Sequence, residues 1–311
     1  MPYTTSQIKQ GISLHLIDTK KFKTNLITVV ITMPLTKENV TKDVVIPAIL
    51  KRGTNHLNSQ EKISKKLEEM YGAEFDCGIE KIGDNHVLKF YLETLNDNFI
   101  PESYSDKLAK TGLDLILDII LNPYLENGCF KNEYVESEKN NMKLLIESKI
   151  DNKNAYALNR CIEEMYKDKP YGLYKYGYTE DLGEINSKNI YEHYLNIINT
   201  AKIDIFFSGN IDKKEIEEYV IENENIKRLN ERNPKIILNS YDNFQKEQVK
   251  NIEEKMDITQ GKLIIGLNVE SKGPDAKFPI SLYNVILRRK CYIKTFPKRK
   301  RKSKFSIYSN I

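Results

Sequence analysis

Asp43–Tyr71 reads DVVIPAILKRGTNHLNSQEKISKKLEEMY, which predicts two helices joined by a tight polar turn. Val44, Val45, Ile46, Ala48, Ile49 and Leu50 are apolar almost all round, as a buried helix would be. Pro47 is expected close to the first turn, where its missing amide costs at most a bond to the Asp43 carbonyl. Gly53 should end the helix and Thr54 open the turn. Asn58 with Glu61 three residues on has the spacing of a capping pair. Ile63, Leu67, Met70 and Tyr71 then recur at helical spacing, and Gly72 closes the run.

On the N-terminal side, Ile12–Ile17 and Leu26–Met33 read as strands. The second, LITVVITM, is apolar at nearly every position, which predicts a central strand covered on both faces. Downstream, Glu74–Ile82 and Val87–Glu93 flank Gly83-Asp84-Asn85 as a hairpin, with Cys77 opposite Phe90. His86 reads as a histidine at the hairpin tip. Ser105–Leu121 has a helical apolar stripe and stops at Asn122-Pro123. Phe130–Lys149 reads as a long helix. Asn154–Tyr166 is helical, and a run with Tyr171, Tyr174, Tyr176 and Tyr178 follows. Tyrosines so clustered suit loop packing or a stacking ligand. Ser187 should cap a helix through Ile198. His193 lies on it between Tyr191 and Tyr194, with no carboxylate or Cys placed to make a metal site. Lys202–Gly209 is a strand and Lys213–Glu222 a helix.

The composition bounds the rest. At 311 residues the chain exceeds one ordinary domain. No stretch approaches the roughly 20 apolar residues of a membrane span, and Met1-Pro2-Tyr3-Thr4 lacks a secretory core. Cys77, Cys129, Cys161 and Cys291 form no pair motif and read as free cytosolic thiols. Lys and Arg number 48 against 44 Asp and Glu. Ten of the 48 fall in Arg288–Ile311, which has no acid, leaving 38 against 44 in the body. An acidic body and a basic tail need separate explanations.

The two-helix stretch resembles the insulinase/pitrilysin family of zinc peptidases. The resemblance rests on Leu50-Lys51-Arg52-Gly53-Thr54 and on Met70-Tyr71-Gly72-Ala73. It is supported by the Lys169-Pro170-Tyr171-Gly172 segment, Asp181-Leu182, and Gly209-Asn210-Ile211 after a strand. It implies an α+β fold in which a sheet is packed by helices, followed by the start of a similar second half. Active members carry HxxEH before the Gly-Thr turn, two histidines for zinc and a glutamate that activates water. Counting back from Gly53-Thr54, those positions are Val44, Pro47 and Ala48 here, and none has a lone pair to offer. A third ligand lies seven residues after another acid, so both share a helix face. With Glu138 as that acid, the ligand position is Leu145. Glu147 is rotated about 200° away from it.

The expected organisation is an insulinase-like domain over residues 1–225, a linker over 226–257 with a short strand at Lys235–Leu238, and the start of a second domain over 258–287. The last holds a strand, Gly261–Val269, and a helix, Phe278–Leu287. The tail 288–311 contains Lys298-Arg299-Lys300-Arg301-Lys302, which suits nucleic acid or anionic lipid if taken at face value. Codons exist for Arg288–Pro297 that, shifted by one base, spell Gly-Gly-Ser-Val-Ile-Ser-Lys-Leu-Phe-Gln, as family members do after this helix. The tail is therefore expected to be a frameshifted reading, and the nucleotide sequence after codon 287 tests it.

The resemblance implies a non-catalytic, cytoplasmic subunit of a two-component zinc peptidase. Its partner would be a zinc-bearing insulinase-like chain in a heterodimer, and its ligand a peptide. No catalytic residue, no metal and no cofactor is expected in this chain, and neither nucleic acid nor membrane as a partner. Three other readings stand beside it: a stand-alone peptide-binding scaffold or non-functional pseudo-peptidase, a zinc enzyme using ligands among the four histidines, and a nucleic-acid binder acting through the tail.

Overall fold

A computed structural model describes residues 3–101, 107–238, 249–267, 275, 277–289 and 304–308. The chain divides into two compact units, residues 1–146 with 175–237, and 147–174 with 238–311.

The first unit is built on a six-stranded mixed sheet in the order β1-β2-β8-β3-β5-β4. The strands are β1 Tyr3–Lys9, β2 Ile12–Asp18, β3 Thr24–Pro34, β4 Glu74–Ile82, β5 Asn85–Leu95 and β8 Lys202–Gly209. A short hairpin, β6 Leu125–Glu126 and β7 Cys129–Phe130, lies between β5 and β8 in the chain. Only β2 and β8 pair in parallel; the other pairs within this sheet are antiparallel. Cys77 stands opposite Phe90, as the alternation in the sequence predicts.

The helices of this unit are α1 Val40–Leu50, α2 Gln60–Glu69, α3 Leu108–Leu121, α4 Asn132–Glu147, α6 Ser187–Thr200, α7 Lys213–Glu222 and α8 Glu224–Lys227. α1 and α3 lie against one face of the sheet, where Ile27, Val29, Ile31, Phe90, Leu92, Ile205 and Phe207 form a core at most 1% exposed. A Cβ on Gly112 of α3 would meet Leu92, Thr94 and Ile27 at 3.0–3.2 Å, so that helix sits directly on the strands.

Several local expectations change. β3 is central, yet only its odd residues are buried; Thr28, Val30 and Thr32 are half-exposed and Leu26 is 40% exposed. Its run of β-branched residues reflects strand propensity rather than cover on both faces. α1 starts at Val40, so Pro47 is its eighth residue and not part of its first turn. Ser59, rather than Asn58 with Glu61, caps α2 by accepting from the Lys62 amide. Gly53 has no left-handed backbone; a Cβ there would meet the Asn58 carbonyl carbon at 2.9 Å, and that close approach is what requires glycine. Thr54 is fully buried and its hydroxyl accepts from the His56 and Leu57 amides, which builds the turn. α6 is capped by Asn186 and Asn189 in a reciprocal box, not by Ser187.

The chain from Ile226 to Ile237 runs along the first unit without forming a strand. Ile226, Leu229 and Arg232 are buried. The Arg232 guanidinium donates to the Ile198 carbonyl near the end of α6, and the Ile237 amide donates to Asn85 Oδ1 at 2.9 Å.

The second unit contains α5 Lys153–Met165, β9 Lys262–Gly266, α9 Lys277–Arg289 and β10 Lys304–Tyr308, with β9 and β10 parallel. Arg160 on α5 donates to Glu163, Glu164 and Glu254 at 2.6–2.9 Å. α5 packs on β9. Within this unit Tyr166 and Tyr171 meet edge to face at 5.0 Å, which is packing rather than an open stacking platform. Most of the basic tail, 290–303 and 309–311, and the end of the expected strand at 268–269 lie outside the described residues.

Candidate functional site

The positions singled out in the sequence sit on α1 and α4. Val44 and Ala48 are one turn apart and share a face of α1. Val44 is 4% exposed, Pro47 is buried and Ala48 half-buried. Glu138 of α4 is brought to the foot of α1, where it accepts from Arg52 Nε at 2.5 Å and from the Arg52 terminal nitrogen. Leu145 lies seven residues further along α4, about 10 Å on, and is 38% exposed. Glu147 is exposed at the end of the helix.

Five groups on or beside α1 belong to residue types that hold metals, namely Cys77, Glu138, Asp43, His86 and His193, and all are engaged. The Cys77 thiol on β4 donates to the Pro47 carbonyl at 3.4 Å. Burial pushes it up to about 12, so it stays a thiol at neutral pH. Glu138 uses Oε1 for Arg52 and Oε2 for Asn141, at 3.1 Å. Zinc needs a deprotonated thiolate, a free imidazole nitrogen or a free carboxylate oxygen. The residues present around α1 therefore do not fit a metal.

The histidines are engaged as well. Each of the four is bound to an aspartate: His15 to Asp204, His56 to Asp118, and His86 and His193 both to Asp43. His15 also meets the hydroxyls of Tyr3 and Thr5 through its other nitrogen. Among the described residues, no group of three or more His, Cys, Asp or Glu is arranged to hold a metal.

The pair on Asp43 was not legible in the sequence. His86 is not a turn residue but a fully buried one on β5, and His193 shares its carboxylate, Asp43. Asp43 Oδ2 takes His86 Nδ1 at 2.8 Å and Oδ1 takes His193 Nε2 at 2.7 Å. His86 Nε2 reaches the Lys175 carbonyl at 3.0 Å. That carbonyl can only accept, and an ionised Asp43 can only accept, so a ring with both N–H groups satisfies both contacts. Burial raises the Asp43 carboxyl most, but hydrogen bonds from His193 and His86 and their charge bring it below 3.8 overall. One residue before Val44, this centre ties α1 to β5, α6 and the loop at Lys175. Three residues separated by up to 150 positions meet there, and only the buried Asp in an otherwise apolar helix hinted at it.

The Lys175–Asp181 loop is docked on the start of α1. Thr41 Oγ1 donates to Asp181 Oδ2 at 2.7 Å and accepts from the Tyr178 amide at 3.1 Å. Lys37 Nζ stands 3.4 Å above the Tyr178 ring. β4 is one of the two outer strands of the sheet, and among the described residues no strand pairs with its far rim.

An α+β fold with a mixed sheet and a buried helix before a Gly-Thr turn is similar to the fold of M16 peptidase domains, inactive ones among them. The chain is 29% identical over 300 residues to a probable inactive metalloprotease, YmfF, of Bacillus subtilis, covering 96% of this chain and 69% of that protein. It is 27% identical over 166 residues to an uncharacterized zinc protease, YmfH, of the same organism, covering 53% of this chain and 37% of that one. Among solved structures it is similar to a conserved protein from Enterococcus faecalis, with a TM-score of 0.70 at 22% identity. It also resembles a peptidase M16 inactive domain from Pseudomonas fluorescens, at 0.58 and 14%. Each of these alignments covers 86% of this chain, but 59% and 57% of the two solved chains, so the protein spans well under two thirds of either. No family model matches the sequence.

Proposed function

We propose that this protein is the non-catalytic subunit of a two-component, cytoplasmic zinc peptidase, holding peptides that a zinc-bearing chain cleaves. The observation that carries the proposal is the helix α1, buried before the Gly-Thr turn, with Val44, Pro47 and Ala48 where the resemblance would put the metal ligands and base. Side chains without lone pairs bind no zinc and move no proton, so hydrolysis falls to another polypeptide. Zinc would belong to that partner. Two relatives in one organism, one described as inactive and one as a zinc protease, fit such a pair. The open rim of β4 beside α1 suits an extended peptide added as a further strand. The domain limits 1–225, 226–257 and 258–287 and the frameshifted origin of the tail belong to the same proposal. A cytoplasmic setting suits the unpaired Cys77, Cys129 and Cys161.

The test is reconstitution. The chain is co-expressed with the zinc-bearing homologue of its own genome, and peptide cleavage is measured for each alone and for the mixture. Cleavage by the mixture only, with stoichiometric zinc in the partner, is the expected result. Chelator-sensitive cleavage by this chain alone overturns the proposal. Peptide binding by this chain without a stable complex favours the stand-alone scaffold instead.

A further inference from the structure

Lys175 is where the chain re-enters the first unit after residues 147–174, and its carbonyl meets a ring that is held from both sides. His86 is fully buried on β5. Its Nδ1 faces Asp43 Oδ2 at 2.8 Å and its Nε2 faces the Lys175 carbonyl at 3.0 Å. A carbonyl and an ionised carboxyl only accept, so each contact needs its own ring proton. A ring that gives up one proton must turn a lone pair toward an acceptor. The proton facing Asp43 is the better held, because a hydrogen bond to a charged acceptor is about twice as strong as one between neutral groups. The proton that leaves is therefore the one on Nε2, and the Lys175 carbonyl loses its donor.

We infer that His86 is a pH-sensitive latch: with both protons it pins Lys175 beside α1 and β5, and with one it lets the Lys175–Asp181 loop lift from the start of α1. The rest of the loop is held by bonds that His86 does not make. Thr41 binds Asp181 and the Tyr178 amide, and Lys37 reaches Asp181 at 3.2 Å. Loss of the proton therefore loosens the loop rather than unfolding the unit. The charged and titratable groups beside the ring are Asp43 on α1, His193 on α6, Lys81 opposite it on β4, and the buried Asp84 in the turn before β5. On its other side β3 places Met33 opposite it, and in the loop Lys175 Nζ lies 4.5 Å over the Tyr176 ring. Of these side-chain types only the imidazole ordinarily changes charge between about pH 5 and 8. His193 spends Nε2 on Asp43 and, among the described residues, makes no hydrogen bond to the loop.

Amide exchange and histidine NMR on the full chain test the latch across about pH 5–9. In the native protein the protection of the Tyr178 amide, corrected for the intrinsic pH dependence of exchange, should fall by about 10- to 100-fold as His86 loses a proton, the size of one hydrogen bond to a charged group. The midpoint of that fall should match the one read from the His86 ring nitrogens. His193→Gln, whose amide can still donate to Asp43, should keep the fall in protection. His86→Gln should show the weakened protection at every pH, and if it does not fold, the native and His193→Gln profiles decide. Protection that stays flat across the range, a His86 ring with a single proton while the loop is fully docked, or a pH dependence that His193→Gln removes overturns the inference.

Discussion

Asp43 shows how one side chain sets both the stability and the pH response of the first unit. Its carboxylate is wholly buried and accepts from two histidines. Asp43→Asn puts an amide N–H against a ring N–H and should cost about 3–5 kcal/mol, the usual penalty for breaking a buried charged pair. Because the folded carboxyl lies below 3.8, its contribution is present above that pH and disappears as pH falls through the folded value. Acid melts of the native protein should steepen there, and those of Asp43→Asn should not. Pro47 has the opposite sign. As the eighth residue of α1 it denies the Asp43 carbonyl an amide, so Pro47→Ala should stabilise by about 1–3 kcal/mol in denaturant unfolding.

At the scale of elements, the strands and most helices were legible because their periods are local. Lys202–Gly209 and Glu74–Ile82 have the bounds their alternation predicts. α5 is displaced by one residue at each end. What escaped depended on neighbours distant in the chain. β1 went unread because Tyr3–Lys9 is an edge strand with little apolar patterning, held by pairing to β2. The Asp43 centre escaped because no short-range pattern joins residues 43, 86 and 193. Among turns, the loop at Gly177 carries the sharpest constraint. Gly177 has φ of +74°, and an added Cβ would lie 2.3 Å from Thr41 Oγ1. Gly177→Ala should therefore cost about 2–3 kcal/mol and loosen the loop from α1. Faster hydrogen exchange at the Tyr178 amide is the local readout. A substitution at Gly83, where nothing crowds the Cβ, isolates the contribution of φ alone.

For the whole molecule, the test is whether it holds a metal at all. The core of the first unit is closed, its histidines are bound to aspartates, and the positions next to Asp43 carry hydrocarbon. Purified chain should contain far less than one zinc per molecule by elemental analysis. Replacing Val44 and Ala48 with His should not by itself confer tight zinc binding, since Glu138 is held by Arg52 and Leu145 offers no oxygen. Micromolar zinc affinity in that double variant would show the cradle to be intact. The resemblance was legible from the turn and helix motifs, whereas the Arg52–Glu138 pair was not, because the two residues are 86 positions apart and each is an ordinary surface type.

The thiol of Cys77 gives this molecule a built-in clock. With its proton held up to about 12, only about one thiol in 10⁵ is ionised at pH 7, and alkylating reagents act on the ionised form. Labelling of this half-buried sulfur in the folded protein should therefore be slow, and faster whenever β4 parts from the Pro47 carbonyl. Its rate, read by mass spectrometry beside that of Cys129, would time the breathing of the sheet's rim against the helix and count each moment at which an incoming strand has room to enter.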